Sequence, residues 1–267
     1  MTTRLAATRV AAVETPDHAL VMLHGIYGRG RNWQTIAKGV VAERPEYGCW
    51  LVDLPYHGSS PPARHGDTIS GLAHDVREWL DAEGVMPNAI LGHSYGGKVA
   101  LAMAAQWPGA RLQVWVIDST PELKPPSGSA WGMLEVVRRL PPRFASRDEA
   151  VQALVEHGYA LGVAQWMATN LAREGEEFVW ALDFDAMERL LRDFFSTDLW
   201  DVLESPGPEH DIHIVKASES SAISDTAVAR IEAASGGRVH LHHRQGGHWI
   251  HAESPQVVTE LLVNALP

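Results

Sequence analysis

The stretch Leu91-Gly92-His93-Ser94-Tyr95-Gly96-Gly97 limits what this chain can become more than any other. A short apolar run ending at Leu91 leads into it, and a helix-forming run from Lys98 to Ala105 leads out. A Gly-x-Ser-x-Gly pattern in that setting predicts a buried strand turning sharply into a helix, with the serine at the apex. The serine's backbone is strained there, and residues two positions away on either side collide unless they are glycine. The turn lifts the Ser94 hydroxyl clear of the sheet and aims the helix N-terminus at it, where backbone N–H groups can stabilise a developing oxyanion. The three fixed residues alone recur by chance in a Gly- and Ser-rich chain, so the setting and the partners elsewhere carry the reading.

Around this element the chain alternates. Ala19–Leu23, Trp50–Leu54, the run before Ser94 and Leu112–Ile117 are continuous apolar runs, as strands buried on both faces of a parallel sheet should be. Helical patterns separate them, one begun by Asn32 as cap and running to about Ala42, another from Thr68 to Ala82 with Leu72, Val76, Trp79 and Leu80 on one face. Residues 2–13 read as one or two edge strands. This rhythm predicts an α/β fold with a doubly wound, mostly parallel sheet, whose ligands bind beyond the carboxyl ends of the strands. From Glu122 to Ser205 the strand signal stops, leaving helical patterns broken by Pro125-Pro126, Pro141-Pro142 and Glu174-Gly175 and rich in Trp and Phe. The expectation is a helical cap, 122–205, inserted into a core of 1–121 and 206–267, although most of its aromatics would simply fill a helical core. The sheet resumes at Asp211–Lys216 and Arg238–His242, with a helix between them, and closes with a loop, 245–251, and a helix from Pro255 to Ala265.

Composition excludes several classes. A net charge of −11, from 22 Lys and Arg against 33 Asp and Glu, argues against a nucleic-acid partner, and no basic run draws the chain to an anionic membrane. No eighteen-residue apolar stretch spans a bilayer and Met1–Val13 lacks a signal-peptide core, so a cytoplasmic location is expected. The single cysteine, Cys49, sits in an apolar run as a core thiol and excludes a disulfide framework. No cofactor fingerprint is present. His240, His242 and His243 have suspicious spacing, but alternating histidines on an outer strand read as a solvated face, with no carboxylate cluster beside them and hence no metal.

A serine hydroxyl needs a base within hydrogen-bond reach. Of the 14 histidines, His248 lies on a glycine-flanked loop beyond the last strand, where it can lean over Ser94; His24, His57, His93 and His251 are its rivals. The imidazole in turn needs a carboxylate to fix its tautomer.

Gly92–Gly97, the His24-Gly25 loop, Asp53-Leu54-Pro55-Tyr56-His57-Gly58 and Gly246-Gly247-His248-Trp249 together resemble the α/β-hydrolase superfamily, in the same order along the chain. In most of that superfamily the acid follows the strand after the cap, but here that slot holds Ser220. Asp118-Ser119-Thr120-Pro121 instead resembles the YbfF-like esterases, in which an Asp-x-x-Pro after the strand following the nucleophile helix supplies the acid and a serine in the vacated slot joins the hydrogen-bond network. The resemblance implies a triad of Ser94, Asp118 and His248, supported by Ser220, with oxyanion donors from the Ile26 and Tyr95 amides. Glu219 as the acid, or Asp118 as a mere turn cap, are the competing readings. Tyr27, Trp249, Trp166 and Trp180 are candidate pocket walls, and ordinary packing is the alternative for each. The implied activity is hydrolysis of a small-molecule carboxylic ester or acyl-thioester through an acyl-enzyme. Carbon–carbon hydrolysis, perhydrolysis, acyl transfer and a non-catalytic binding role share the constellation, and the sequence leaves the oligomeric state open.

Overall fold

A computed structural model describes residues 4–234 and 237–267. Five strands come first: β1 (Ala7–Ala11), β2 (His18–Leu23), β3 (Tyr47–Val52), β4 (Ala89–His93) and β5 (Leu112–Ile117). Three short ones, β6 (Arg143–Phe144), β7 (Leu171–Glu174) and β8 (Glu177–Trp180), lie in the inserted segment, and β9 (His210–Ala217) and β10 (Val239–Arg244) follow it. Seven strands form one sheet in the order β1-β3-β2-β4-β5-β9-β10, parallel throughout except for β1, which runs antiparallel to β3. The chain leaves β2 to build β3 on one side and then β4 on the other, so the sheet winds in both directions from β2.

The apolar runs split by parity. Val21, Leu23, Ile90, Val114, Val116, Ile212 and Ile214 enter the core on one face, while Leu20, Met22, Ala89, Leu91, Trp115, Ile117 and Val215 enter the core on the other. Helices α1 (Gln34–Glu43), α2 (Ile69–Glu83) and α3 (Tyr95–Gln106) cover these faces in the first half. The insertion supplies α4 (Gly128–Val137), α5 (Arg147–Glu156), α6 (Leu161–Ala168), α7 (Phe184–Ser196) and α8 (Trp200–Glu204), and the chain ends with α9 (Asp225–Ala234), α10 (Ile250–Glu253) and α11 (Pro255–Ala265). Insertion residues such as Met133, Leu154, Met167 and Phe194 belong to the same apolar core as Val21 and Ile90, so the insertion packs onto the sheet as part of one body. Among the described residues no helix is long and apolar enough to cross a membrane.

Three local expectations change. The insertion is not wholly helical, because β7 and β8 pair as a hairpin across Gly175, at φ +65°, and β6 joins β8 to make a three-stranded antiparallel sheet. Asn32 does not cap α1 but sits in a 3-10 turn, Gly30–Trp33, where its Oδ1 accepts the Arg29 N–H at 2.7 Å. Strand β3 stops at Val52, before Asp53, whose N–H turns away to the Ala6 carbonyl. A single N-terminal edge strand is present, and residues 2–3 of that expectation lie outside the described ones.

Candidate active site

Between β4 and α3, Ser94 adopts φ +51° and ψ −114°, a conformation that L residues rarely enter. The glycines around it have no room for a side chain. A Cβ on Gly92 would stand 2.0 Å from the Gly96 carbonyl oxygen, and one on Gly96 would stand 2.5 Å from that of His24. The backbone strain is held by the Ser94 N–H on the Ile117 carbonyl at 3.0 Å and by α3, which closes onto the Ser94 carbonyl.

The hydroxyl so presented meets two residues from distant parts of the chain. Ser94 Oγ lies 3.2 Å from His248 Nε2, and His248 Nδ1 lies 2.7 Å from Asp118 Oδ2. Asp118 is fully buried at the end of β5, itself at φ +46°, and its second oxygen accepts the Ala217 N–H at 3.1 Å. A carboxylate with one oxygen on a backbone amide and the other on an imidazole is held in place and fixes the ring with its Nδ1 proton inward. The competing acid, Glu219, is exposed and accepts from Gln245 Nε2, so the carboxylate on His248 is that of Asp118. Ser220 Oγ is not bonded to Asp118 or His248: it accepts the Ala222 N–H at 3.1 Å, closing a local turn two residues on.

The rival histidines do structural work, each made neutral by burial. His93 points away from the hydroxyl and donates from Nε2 to the His248 carbonyl at 2.8 Å, bracing the loop that carries His248; burial lowers its pKa well below the ordinary value. His24 donates from Nδ1 to the Gly25 carbonyl and accepts the Leu54 N–H at Nε2, and burial pushes its pKa down to about 4. His57 donates to the Pro55 carbonyl and accepts the Tyr27 N–H, and burial pushes it to about 3. His251, whose ring packs at a tilt against those of Trp33 and His93, is likewise lowered to about 3 by burial.

Ile26 and Tyr95, the expected oxyanion donors, lie on the loop after β2 and at the first residue of α3, and neither amide donates to an acceptor among the described residues. The loop between His24 and Gly28 is held from the insertion by two contacts that sequence reasoning missed. Tyr27, at φ +63°, donates its hydroxyl to the Ala130 carbonyl, and its own carbonyl accepts from Asn170 Nδ2 at 2.8 Å, while Asn170 Oδ1 accepts from Arg29 Nε. Lys98 was missed too, though a lone lysine in the apolar run Val99-Ala100-Leu101 is a signal: it is fully buried and donates to three carbonyls.

Two spaces meet at Ser94. One is a cleft of about 520 Å³ that includes Asp118, Lys124, Phe194, Ser220 and His248. The other is a narrow pocket beneath Tyr27, Met133, Tyr159, Trp166 and Trp249. The Trp166 and Trp249 rings, 6.1 Å apart, separate that pocket from an outer groove of about 360 Å³ floored by Ala160, Gly162 and Val163. Tyr27, Trp166 and Trp249 therefore do line space at the serine. Trp180 does not: it stands on β8 against Phe144 and Phe184, inside the insertion's own small core, because pairing in the hairpin turns it there.

The outer-strand histidines also need correction. A carboxylate does accompany them, contributed by the neighbouring strand: Asp211 on β9 bonds His240 at 2.7 Å and His213 at 3.1 Å, while His213 Nδ1 lies 2.9 Å from His242 Nε2.

The model of the alpha/beta hydrolase family matches residues 20–261. The sn-1-specific diacylglycerol lipase ABHD11 of Xenopus laevis is 29% identical over 245 residues, covering 88% of this chain and 75% of that protein. The mouse (Mus musculus) protein of the same name is 29% identical over 181 residues, 65% of this chain and 57% of its own length. Among solved structures, a marine microorganism esterase superposes with a TM-score of 0.82 at 23% identity, covering 98% of this chain and 99% of that one, and shares the fold.

Proposed function

The chain belongs to the alpha/beta hydrolase family, and from that premise we propose that it is a serine hydrolase of carboxylic esters, with Ser94 as nucleophile, His248 as general base and Asp118 as the orienting acid. The observation that carries the reading is the hydrogen-bonded run from Ser94 through His248 to buried Asp118. Ser94 Oγ attacks the acyl carbon as its proton passes to His248 Nε2, and the imidazolium so formed stays paired with Asp118. The unpartnered Ile26 and Tyr95 amides receive the oxyanion, the latter aided by the start of α3. His248 then returns the proton to the departing alkoxide, and a water activated by the same ring releases the acid.

The insertion acts in this reading as a cap. Its apolar pocket and the groove beyond Trp166 and Trp249 suit the acyl group, and the more polar cleft beside Lys124 and Ser220 suits the alcohol. Relatives named as sn-1-specific diacylglycerol lipases favour an acylglycerol-type ester among the candidates. The test is a p-nitrophenyl ester series of rising acyl length on wild type, Ser94→Ala, Asp118→Asn and Glu219→Gln. Wild type should turn over, the first two variants should lose about 10³-fold or more of kcat, and Glu219→Gln should stay within about threefold. Collapse of Glu219→Gln would reassign the acid. A folded wild type that neither hydrolyses the series nor labels at Ser94 with a fluorophosphonate would rule the reading out.

A further inference from the structure

We propose that Asp211, His213 and His240 form a binding site for a divalent transition metal ion of the zinc type, remote from the serine and independent of the hydrolytic reading. The three residues come from adjacent strands at the far edge of the sheet, where the register sets His240 on β10 beside His213 on β9. Asp211 precedes His213 by two residues and therefore points to the same face. One carboxylate oxygen lies 2.7 Å from His240 Nε2 and the other lies 3.1 Å from His213 Nε2, and one ligand atom from each of the three residues falls within 4.8 Å of the other two. Around a tetrahedral ion with bonds of about 2.0–2.1 Å, neighbouring ligand atoms stand about 3.3 Å apart. The 2.7 Å and 3.1 Å separations from Asp211 fall short of that spacing, so the side chains open slightly to admit the ion.

The surroundings are those of a prepared site. Gln113 Nε2 bonds Asp211 Oδ2 at 3.3 Å, and Gln113 Oε1 in turn accepts from the indole N–H of Trp115 at 2.7 Å, so the carboxylate is oriented by a two-residue relay. Trp115 stacks on His213 at 4.1 Å between ring centres, which fixes that imidazole's plane. His242 Nε2 faces His213 Nδ1 at 2.9 Å, and either ring can be the donor. With an ion bound, His213 carries its proton on Nδ1 and donates to His242 Nε2, His242 carries its own proton on Nδ1, and His213 Nε2 is freed for the ion; His240 carries its proton on Nδ1 likewise. A ligating imidazole whose second nitrogen donates to a fixed acceptor is the arrangement that metal sites use.

Access and role follow from position. The side chains of Asp211 and His240 are 42% and 40% exposed, so the ion and a fourth, water ligand reach the site from solvent, whereas His213 at 7% forms its floor. The cluster sits towards the amino-terminal half of β9, away from the strand end where Asp118 meets Ala217, so the ion would clasp β9 to the edge strand β10 and take no part in ester cleavage. Two imidazoles and a carboxylate suit zinc, cobalt, nickel or copper and not calcium or magnesium.

The experiment is a zinc(II) titration, by calorimetry and by thermal unfolding, of tag-free, chelator-stripped protein. One ion should bind per chain with a dissociation constant of about 10 µM or tighter, and the melting temperature should rise with zinc. Asp211→Asn and His240→Gln should each weaken binding at least about tenfold and abolish the thermal shift, while leaving zinc-free ester hydrolysis intact. His157→Gln, a change at an exposed histidine of the insertion, should bind as wild type does. No saturable binding up to about 0.1 mM overturns the proposal. Wild-type binding in either ligand variant, or loss in His243→Gln instead, overturns it as well.

Discussion

Replacing Lys98 by methionine tests how the insertion is tied to α3, the helix that follows Ser94. Lys98 sits on α3 four residues after Ser94, fully buried, and its ammonium donates to the carbonyls of Glu122 at 2.9 Å, Phe194 at 2.6 Å and Thr197 at 2.7 Å. Glu122 begins the insertion, and Phe194 and Thr197 lie at the carboxyl end of α7, where carbonyls lack intrahelical donors and a cation is favoured. Burial pushes the amine's pKa down to about 7, with the Lys124 charge adding to that and the carboxylates of Asp198, Asp193 and Glu122 opposing it. Methionine keeps the length and removes every donor. A buried acceptor left unpaired costs about 1–3 kcal/mol. The Phe194 bond is wholly buried and takes about 2 kcal/mol; the other two are partly buried, reachable by water and take about 1 kcal/mol each. The sum, about 4 kcal/mol, lowers the melting temperature of a chain this size by about 10 °C. Because Phe194 also lines the cleft at Ser94, KM for a p-nitrophenyl ester should rise at temperatures well below the transition. A melting temperature within about 2 °C of wild type, with KM unchanged, would show that the amine does not tie the insertion down.

Acidification should unfold the protein through its buried histidines. His24, His57 and His251 are depressed by burial to about 4, about 3 and about 3 from an ordinary 6.5, so the unfolded chain binds protons that the fold refuses. Their contribution is fully present above pH 6.5 and falls with pH below it, by about 2 kcal/mol each at pH 5 and about 6 kcal/mol together. That is a large share of a typical stability of about 5–15 kcal/mol. Denaturant midpoints that stay flat from pH 7 to pH 5 would contradict this. Asn170→Ala should free the loop that carries Ile26 and cut kcat about tenfold or more with little change in KM, because its two bonds hold Tyr27 and Arg29 and reach no substrate. Steady-state kinetics with kcat within twofold of wild type would remove Asn170 from that role.

The sheet was legible because parallel strands buried on both faces are written as unbroken apolar runs, and Leu112–Ile117 and Pro255–Ala265 match the observed elements end to end. The insertion's hairpin was not. Leu171-Ala-Arg-Glu174 shows neither alternation nor strand propensity, and what makes it a strand is the partner that Gly175 folds back onto it. Ser220 failed for a different reason: its place in the chain suited the network, but a serine hydroxyl meets its own next turn before it meets anything distant. Asp211 beside His240 was invisible because 29 residues separate them and only strand register joins them.

The histidines show where the boundary lies. Sequence singles out His248 by its position beyond the last strand, but it says nothing about what the other histidines are for. The difference is in what occupies the two nitrogens of each ring. In His24 and His57 one nitrogen donates to a backbone carbonyl and the other accepts a backbone N–H, so taking up a proton would break a bond that holds a loop. In His248 the Nδ1 side faces a carboxylate that stabilises the charged ring, and the Nε2 side faces a hydroxyl that can surrender its proton. Those partners lie 130 and 154 residues away along the chain. A histidine's residue type and local motif can therefore nominate a base, while its capacity to cycle a proton is a property that the assembled fold confers.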